Sequence, residues 1–228
     1  VVVLTGLILW GLYTWNDIMN QKEGEDPIVI ELYAQQFNWT ARYAGADNVL
    51  GDANVRLIDI DNANILGVDT QDPNATDDIV VKELHLPVGQ KVLFKMRSQD
   101  VLHSAYMPHF RAQMNCVPGM ITEFAFTPTE TTAEMRQRPE TIEKVKRTNA
   151  LRAQRAAQGI PNNDPWEFDY ILLCNKICGK SHYNMQMKIV VDTPEDYQKW
   201  LAQQTTFGVS MQKDTTATTE VEAQPTIE

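Results

Sequence analysis

The chain has 228 residues, 30 of them acidic and 20 basic, so its formal net charge is −10 at pH 7. That length is enough for one domain with a sizeable core plus extensions, and a second full domain is not expected. The acidic balance argues against nucleic acid as a partner, because phosphates require clusters of Lys and Arg, and it fits a positively charged protein partner.

The N-terminal segment is the most apolar part of the chain. Residues 1 to 15 are almost wholly apolar, whereas a complete bilayer crossing needs about 20 residues. The segment has neither a basic region nor a small-residue cleavage site, so a signal peptide fits poorly. Trp10, Tyr13 and Trp15 suit a membrane interface. We predict that residues 1 to 20 are the end of a transmembrane helix, truncated at its start; the alternative is a buried soluble helix.

From residue 28 onward, short runs of β-branched and aromatic residues alternate with Gly, Pro, Asn and Asp. This pattern is typical of a sandwich of short strands. The predicted strands cover residues 28–34, 37–43, 80–86, 91–98, 121–127, 168–174 and 187–191. The polar stretch between the second and third of these strands is predicted to be a long loop, in which only residues 56 to 60 suggest a strand.

A helical insertion is predicted between residues 128 and 165. Pro139 can be the first residue of a helix, and Ile142, Val145 and Leu151 recur at roughly helical spacing until a Gly and a Pro end the pattern. Its basic residues outnumber its acidic ones, and they are Lys144, Lys146, Arg147, Arg152 and Arg155. This basic face is either solvated or a contact with another subunit.

Four potential metal ligands lie within twelve residues: Cys174, Cys178, His182 and Met185. Thiolate, imidazole and thioether form a soft ligand set that suits copper, whereas zinc rarely has a methionine ligand and calcium or magnesium requires oxygen. His103, in a strand-like segment, is the candidate for a second imidazole, because copper proteins of this kind take one His from an early strand and the rest from one late loop. The cluster predicts an electron carrier.

Two cysteines in the cluster indicate a dinuclear centre, since a mononuclear blue-copper site uses one Cys. Two thiolates on one loop can bridge a pair of copper ions, with His103 and His182 each bound to one ion. Met185 and a backbone carbonyl are then weak ligands. Bridging thiolates spread the unpaired electron over both metals, which keeps the reorganisation energy low. The alternatives are a disulfide between the cysteines and ordinary packing of the His and Met residues.

The C-terminal region contains a short predicted helix that starts near Pro194 and is stapled by Tyr197, Trp200 and Leu201. Beyond it, residues 205 to 228 are rich in Thr, Gln and Glu and are expected to be disordered. The predicted organisation is therefore the end of a membrane helix at residues 1–20, a metal-binding domain at residues 21–204, and this polar tail.

The metal cluster resembles the CuA loop of subunit II of the haem-copper cytochrome c oxidases, whose pattern is Cys-x-Glu-x-Cys-x-x-x-His-x-x-Met. Four other stretches resemble that family in the same order, at residues 36–43, 83–89, 100–104 and 117–119. The resemblance covers the chain from about residue 28 to residue 201. It implies an all-β, cupredoxin-like Greek-key sandwich or barrel, to which this chain adds the helical insertion.

The resemblance implies copper ligands at His103, Cys174, Cys178, His182 and Met185, together with the main-chain carbonyl of Lys176. The family usually has Glu at the position of Lys176, and that carboxylate reaches a magnesium ion at the boundary with subunit I. A carbonyl is present whatever the side chain, but an ammonium group cannot bind a cation. We therefore expect the copper site to persist and the magnesium site to be lost or rebuilt from other groups.

The family receives electrons through an exposed Trp in a Gln-Trp-x-Trp segment. By resemblance, Phe37 takes the place of that Trp, Trp39 falls on the second aromatic position, and Asp100 belongs to an acidic rim that receives a basic cytochrome. The alternatives are strand residues packed on the core for the aromatic pair, and a turn residue for Asp100.

The function implied by the resemblance is that of the electron-receiving subunit of a cytochrome c oxidase complex, in which subunit I reduces oxygen. The implied partners are subunit I, other oxidase subunits and cytochrome c or a cytochrome c domain. The implied location is the outer, periplasmic face of a bacterial inner membrane. Alternatives are a structural subunit II of a quinol oxidase without copper, the copper domain of nitrous oxide reductase and a copper-delivery protein.

Overall fold

The structure is a computed structural model that describes residues 1–19, 27–61 and 64–210. Its first element is the helix α1 (Val2–Met19), none of whose residues is buried. By length and composition alone, this apolar helix is a candidate membrane span. It includes most of the segment that the sequence predicts to be the end of a transmembrane helix.

In the described part of the chain, ten strands form two five-stranded sheets. In chain order the strands are β1 (Ile28–Gln35), β2 (Asn38–Tyr43), β3 (Ile79–Val81), β4 (Leu84–Pro87), β5 (Val92–Ser98), β6 (His103–Met107), β7 (Ala112–Cys116), β8 (Thr122–Phe126), β9 (Tyr170–Cys174) and β10 (Gln186–Asp192). The first sheet has the order β3-β2-β1-β5-β8, and the second has the order β4-β10-β9-β6-β7.

The connections between the sheets give the fold its class. β1 pairs in parallel with β5, and β10 pairs in parallel with β4, while the other pairs are antiparallel. The chain crosses from one sheet to the other after β3, β4, β5, β7 and β8. This arrangement confirms the predicted cupredoxin-like Greek-key sandwich.

The core lies between the two sheets and follows the two-residue period of the strands. In β5, Val92, Phe94 and Met96 are buried while their neighbours along the strand are partly exposed. β10 alternates in the same way. Because a slip of one residue would turn these apolar side chains outward, their burial fixes the register of the strands.

Three details differ from the predicted strands. Residues 80 to 86 do not form one strand, because the chain turns at Lys82 and Glu83 and passes from the first sheet to the second. Residues 56 to 60 are not a strand either, since a 3₁₀ turn occupies Val55–Leu57. β7 was not predicted, because Gln113 and Asn115 occupy its exposed positions and resemble a loop composition.

The predicted insertion forms two helices, α2 (Thr132–Gln137) and α3 (Pro139–Ala157). α3 begins at Pro139, as predicted. Val145 packs against the core, and the Asn149 side chain bonds to the backbone of Trp166 through both its amide nitrogen and its oxygen, at 3.0 and 2.7 Å. These contacts hold the middle of α3 on the sandwich, while Leu151 is exposed.

The predicted short C-terminal helix is α4 (Pro194–Leu201), and Tyr197 is its buried residue. The next residues differ from the predicted tail. Thr206 forms a bridge with Ile79, and the Phe207 N–H donates to the Asp78 carbonyl at 2.6 Å. The apolar ring of Phe207 packs in a small second cluster, which explains its ordered position. Residues 211 to 228 of the predicted tail lie outside the described residues.

Candidate metal centre

Two strands of the second sheet position the predicted ligands. His103 is the first residue of β6 and Cys174 is the last residue of β9, and the antiparallel register of these strands pairs Ala105 with Cys174. Residues 174 to 185, which we call the cysteine loop, then lead into β10. The Cys174 N–H closes this loop by donating to the Met185 carbonyl at 3.0 Å.

The side chains predicted to bind copper lie together. The two cysteine Sγ atoms are 3.9 Å apart. The Nδ1 atom of His103 is 3.7 Å from Cys174 Sγ, and the Nδ1 atom of His182 is 3.6 Å from Cys178 Sγ. Each cysteine sulfur therefore has the ring nitrogen of a different histidine nearby.

The two weaker predicted ligands are divided in the same way. Met185 Sδ is 3.8 Å from Cys178 Sγ, and the carbonyl oxygen of Lys176 is 3.2 Å from Cys174 Sγ. Residue Lys176 itself is exposed, so its backbone and not its ammonium group faces the cluster. The structure thus brings all six predicted groups to one place.

The cysteines are free thiols in the structure. Their sulfur separation of 3.9 Å is well above the disulfide bond length of about 2.05 Å, so the disulfide considered from the sequence is not formed. Burial, and next the neighbouring Cys174, raise the pKa of Cys178 to about 11. The Cys178 thiol therefore keeps its proton at neutral pH unless a bound cation replaces it.

The donor set fits a soft transition metal. A metal bound to both sulfurs at about 2.3 Å, the usual zinc–thiolate length, can accommodate a sulfur separation of 3.9 Å. His103, Cys174 and Cys178 can place their ligand atoms within 4.8 Å of one another. Two sulfurs, two imidazoles and a thioether favour copper over zinc, calcium or magnesium.

His103 is held from behind by Asp100. Its ring is fully buried, and its Nε2 atom lies 2.9 Å from Asp100 Oδ1. Histidines that bind metals commonly donate their second ring N–H to a carboxylate, which fixes the ring orientation and the tautomer. The position of Asp100 thus leaves the Nδ1 atom of His103 facing the sulfur pair.

The three residues predicted to receive electrons differ in position. Phe37 is partly buried and packs against the core from the β1–β2 turn. Trp39 is 1% exposed and lies inside, where its indole N–H donates to the Met185 carbonyl at 3.4 Å and its ring meets His103 edge-on. The side chain of Asp100 is 29% exposed. Trp39 therefore supports the ligands from within and has no surface to offer a partner.

Sequence reasoning missed one residue of the site. Gln36 donates its backbone N–H to Asp100 Oδ2 at 2.7 Å, and its side-chain amide donates to the Cys178 carbonyl. Gln36 stands beside Phe37 in the stretch that resembles the family's Gln-Trp-x-Trp segment. That adjacency is the signal in the sequence that could have identified it.

The third cysteine lies below the site. Cys116 is fully buried and pairs with His103 in the register of β6 and β7. Burial raises the pKa of its thiol to about 12. Cys116 thus behaves as a small apolar residue of the core.

A comparison with family sequence profiles identifies one family. The profile described as the periplasmic domain of cytochrome c oxidase subunit II matches residues 28–140. The matched range includes His103 and ends within α3, before the cysteine loop.

Two curated relatives, both named as subunit 2, match longer stretches of the chain than the profile does. The alternative cytochrome c oxidase subunit 2 of Bradyrhizobium diazoefficiens is 33% identical over 209 residues, which are 91% of this chain and 61% of that protein. The cytochrome c oxidase subunit 2 of Thermostichus vulcanus is 28% identical over 126 residues, 55% of this chain and 27% of that protein. The chain therefore spans about three fifths of the first relative's length and about a quarter of the second's.

Among solved structures, the periplasmic domain of subunit II of the cytochrome oxidase of Bradyrhizobium japonicum has a TM-score of 0.45 and 18% identity. The similarity covers 78% of this chain and 94% of that domain. The family profile and the curated relatives agree on one subunit. We conclude that the chain is a homologue of subunit II of the cytochrome c oxidases.

Proposed function

We propose that this chain is the electron-receiving subunit of a respiratory terminal oxidase and holds a dinuclear copper centre in the cysteine loop. The observation that carries the proposal is the paired arrangement of ligands, in which each cysteine sulfur has its own imidazole Nδ1 atom, at 3.7 and 3.6 Å. A single metal held by the group that can share one ion, His103 with both cysteines, would leave His182 and Met185 without a role. Two metals use all the ligands.

The side chains of His103, Cys174, Cys178, His182 and Met185, with the main-chain carbonyl of Lys176, would together hold two copper ions. When bound, such a centre supplies a one-electron redox couple with a small reorganisation energy. The protein contributes rigidity, because His103, Met185 and both cysteines are buried and Trp39 packs beneath them.

Electrons would arrive at the end of the sandwich that contains the cysteine loop. Exposed apolar residues cluster on the loops of this end, and they are Val101, Leu102, Met120, Ile121, Ile177 and Tyr183. Exposed apolar surface of this kind indicates contact with another protein. Phe37 touches the same region, and we propose that it contacts a cytochrome c or a cytochrome c domain. The negative charge of the chain favours a basic donor.

The apolar helix α1 and the resemblance to subunit II fit a subunit of a membrane complex. The helix α1 would anchor residues 21–204, the copper domain, on the outer face of a bacterial inner membrane. Subunit I, which would receive the electron and reduce oxygen, is the expected partner, together with other oxidase subunits. Lys176 offers no carboxylate at the position where the family binds magnesium, so we propose copper as the metal of this chain.

The test is to load the full chain, in detergent, with copper and to measure copper per chain and the EPR spectrum. Two copper ions with one electron shared equally by both nuclei would support the proposal. No bound copper would instead favour a structural subunit of a quinol oxidase. A single copper with an unshared electron would favour a mononuclear carrier.

A further inference from the structure

The cysteine loop contains several residues that are exposed to solvent. Lys176, Ile177 and Gly179 are all exposed. At the start of the loop, the Asn175 N–H donates to the Ser104 carbonyl at 3.0 Å, and later turns bond His182 to Gly179 and Asn184 to Ser181 within the loop itself. These internal turns do not position the loop relative to β6, which provides His103.

Gln36 forms a link between the two parts of the site. Its backbone N–H donates to Asp100 Oδ2. The other carboxylate oxygen of Asp100 lies 2.9 Å from His103 Nε2. The side-chain amide of Gln36 donates to the Cys178 carbonyl. Gln36 thus bonds both to Asp100, which orients the His103 ring, and to the backbone of Cys178.

The packing at Gly179 supports the same link independently. Gly179 has a φ of +142°, and a Cβ atom there would lie 2.8 Å from Phe37 Cζ and 2.9 Å from Gln36 Nε2. The loop therefore lies directly against the β1–β2 turn, with no space for a side chain between them. This close approach keeps the Gln36 amide within reach of the Cys178 carbonyl.

We propose that Gln36 is a positioning residue that ties the Cys178 side of the metal centre to the His103 side. This inference rests on the proposed function in so far as copper release and the EPR spectrum are used to test it. Groups that orient metal ligands from behind typically change metal affinity about 10- to 100-fold when they are removed. Gln36 acts on two ligands of the centre at once, through Asp100 on one side and the loop backbone on the other.

The test compares the full chain in detergent with Gln36→Ala, Gln36→Glu and the control Gln198→Ala, which removes an exposed glutamine side chain from α4. We expect Gln36→Ala to release copper to an excess of chelator about 10- to 100-fold faster than the parent chain. We expect its EPR hyperfine pattern to become unequal. Gln36→Glu keeps the shape but replaces the donor by an acceptor, and its added negative charge would retain a cation, so faster release from it identifies the lost N–H donor.

A metal-free measurement separates this inference from the proposed function. Hydrogen–deuterium exchange of the apo chain should increase in peptides from residues 175 to 185 in Gln36→Ala and not in Gln198→Ala. The urea midpoint should stay the same, because an exposed side chain contributes little to global stability.

If the parent chain failed to bind two copper ions while exchange in the loop still increased, the proposed function would fail and the link would stand. If the parent chain bound two copper ions and Gln36→Ala matched it in exchange, release and spectrum, the link would be refuted and the proposed function would stand. A lower urea midpoint without any change in the loop or the spectrum would also refute a positioning role.

Discussion

At the scale of single residues, the three cysteines of this chain differ in what surrounds them. Cys174 and Cys178 each have an imidazole nitrogen within 3.7 Å. Cys116 is buried behind His103, and its thiol pKa is raised to about 12 by burial. Chemical identity alone does not distinguish a ligand from a core residue here; the neighbouring nitrogen atoms do.

We expect Cys178→Ser to lower copper binding from two ions per chain to one or none, because a hydroxyl group is a poor bridging ligand for copper. Metal analysis and EPR measure the change. Cys116→Ala is the matched control and should keep both ions and the shared electron. Equal loss of copper in both variants would show that the centre depends on the core generally and not on the bridging sulfur.

Phe37 is the residue that we expect to govern electron arrival. Removing the ring in Phe37→Ala should slow reduction of the copper-loaded chain by a basic cytochrome c about tenfold, the effect of losing about 1.4 kcal/mol of docking energy. Stopped-flow absorbance measures the rate, which is compared only between fully copper-loaded samples because the Phe37 ring also packs against the cysteine loop at Gly179. Phe37→Trp should restore fast reduction, whereas an unchanged rate in Phe37→Ala would place the donor contact elsewhere.

The long loop between β2 and β3 is tied to the first sheet by a buried carboxylate. Asp78 is fully buried, its Oδ2 atom is 2.8 Å from Arg42 Nη1, and its Oδ1 atom has no hydrogen-bond partner. Burial raises the Asp78 pKa from 3.8 to about 6, although Arg42 and the Gly51 N–H act in the opposite direction. The folded protein therefore binds this proton more tightly than the unfolded chain does.

This shift predicts a pH dependence with a definite sign. Because the folded-state pKa lies above the unfolded value, the contribution of Asp78 to stability is greatest below about pH 4 and is lost as the pH rises to about 6. We expect the unfolding free energy of the apo parent chain, minus that of Asp78→Asn, to fall across this range. Urea unfolding at several pH values measures the difference, and a constant difference would contradict the prediction.

At the scale of secondary-structure elements, the site depends on a turn of the first sheet pressing against a loop of the second. The β1–β2 turn contributes Gln36 and Phe37, and the cysteine loop contributes Gly179 at their point of contact. The close approach of the turn and the loop at Gly179 holds the backbone next to Cys178 in place.

Gly179→Ala should therefore disturb copper binding more than it disturbs folding. Its new Cβ would lie 2.8 Å from Phe37 Cζ, so the loop must move and copper release to a chelator should accelerate. Gly89→Ala is the control, because Gly89 also has a positive φ, +79°, but a Cβ there meets nothing within 4 Å. Gly89→Ala should lose about 1–2 kcal/mol to backbone strain. Gly179→Ala, whose φ lies far outside the left-handed helical region, should lose about 1–3 kcal/mol. Equal release rates would show that the contact with Phe37 is unimportant.

At the scale of the whole molecule, the proposed centre connects β6, β9 and the loop before β10, which all belong to the second sheet. A metal held by all three binds the folded state more tightly than the unfolded chain, which lacks His103 beside the cysteine loop, so it stabilises the fold. Free copper at about 100 times its dissociation constant would add about 2.7 kcal/mol.

We expect removal of copper to lower the unfolding temperature of the chain by about 5 to 10 °C, given the usual response of domains of this size. Differential scanning calorimetry of the loaded and metal-free chain measures the shift. Cys178→Ser provides the control, since copper should then give little protection. Identical unfolding temperatures of the loaded and metal-free parent chain would contradict a centre that spans these elements.

The sequence by itself determined the ligand types, their spacing in the cysteine loop, the apolar N-terminal helix and the start of α3 at Pro139. Each of these depends on local pattern: soft ligands close together, an apolar run, or a proline that can only begin a helix. The strand alternation that defines the core was readable for the same reason.

Only the tertiary structure decided how distant parts of the chain meet. It separated residues 80 to 86 into strands of two sheets, buried Trp39 beneath the ligands, and engaged both oxygens of Asp100 in contacts with His103 and Gln36. Asp100 and His103 are three positions apart, but the contacts of Gln36 with Asp100 and of Trp39 with Met185 join residues 64 and 146 positions apart. The packing of the two sheets, not any local preference, sets these long-range contacts. Alternation along a strand places successive side chains on opposite faces, but it does not say which face is covered, so the exposure of an aromatic side chain follows from what packs against it.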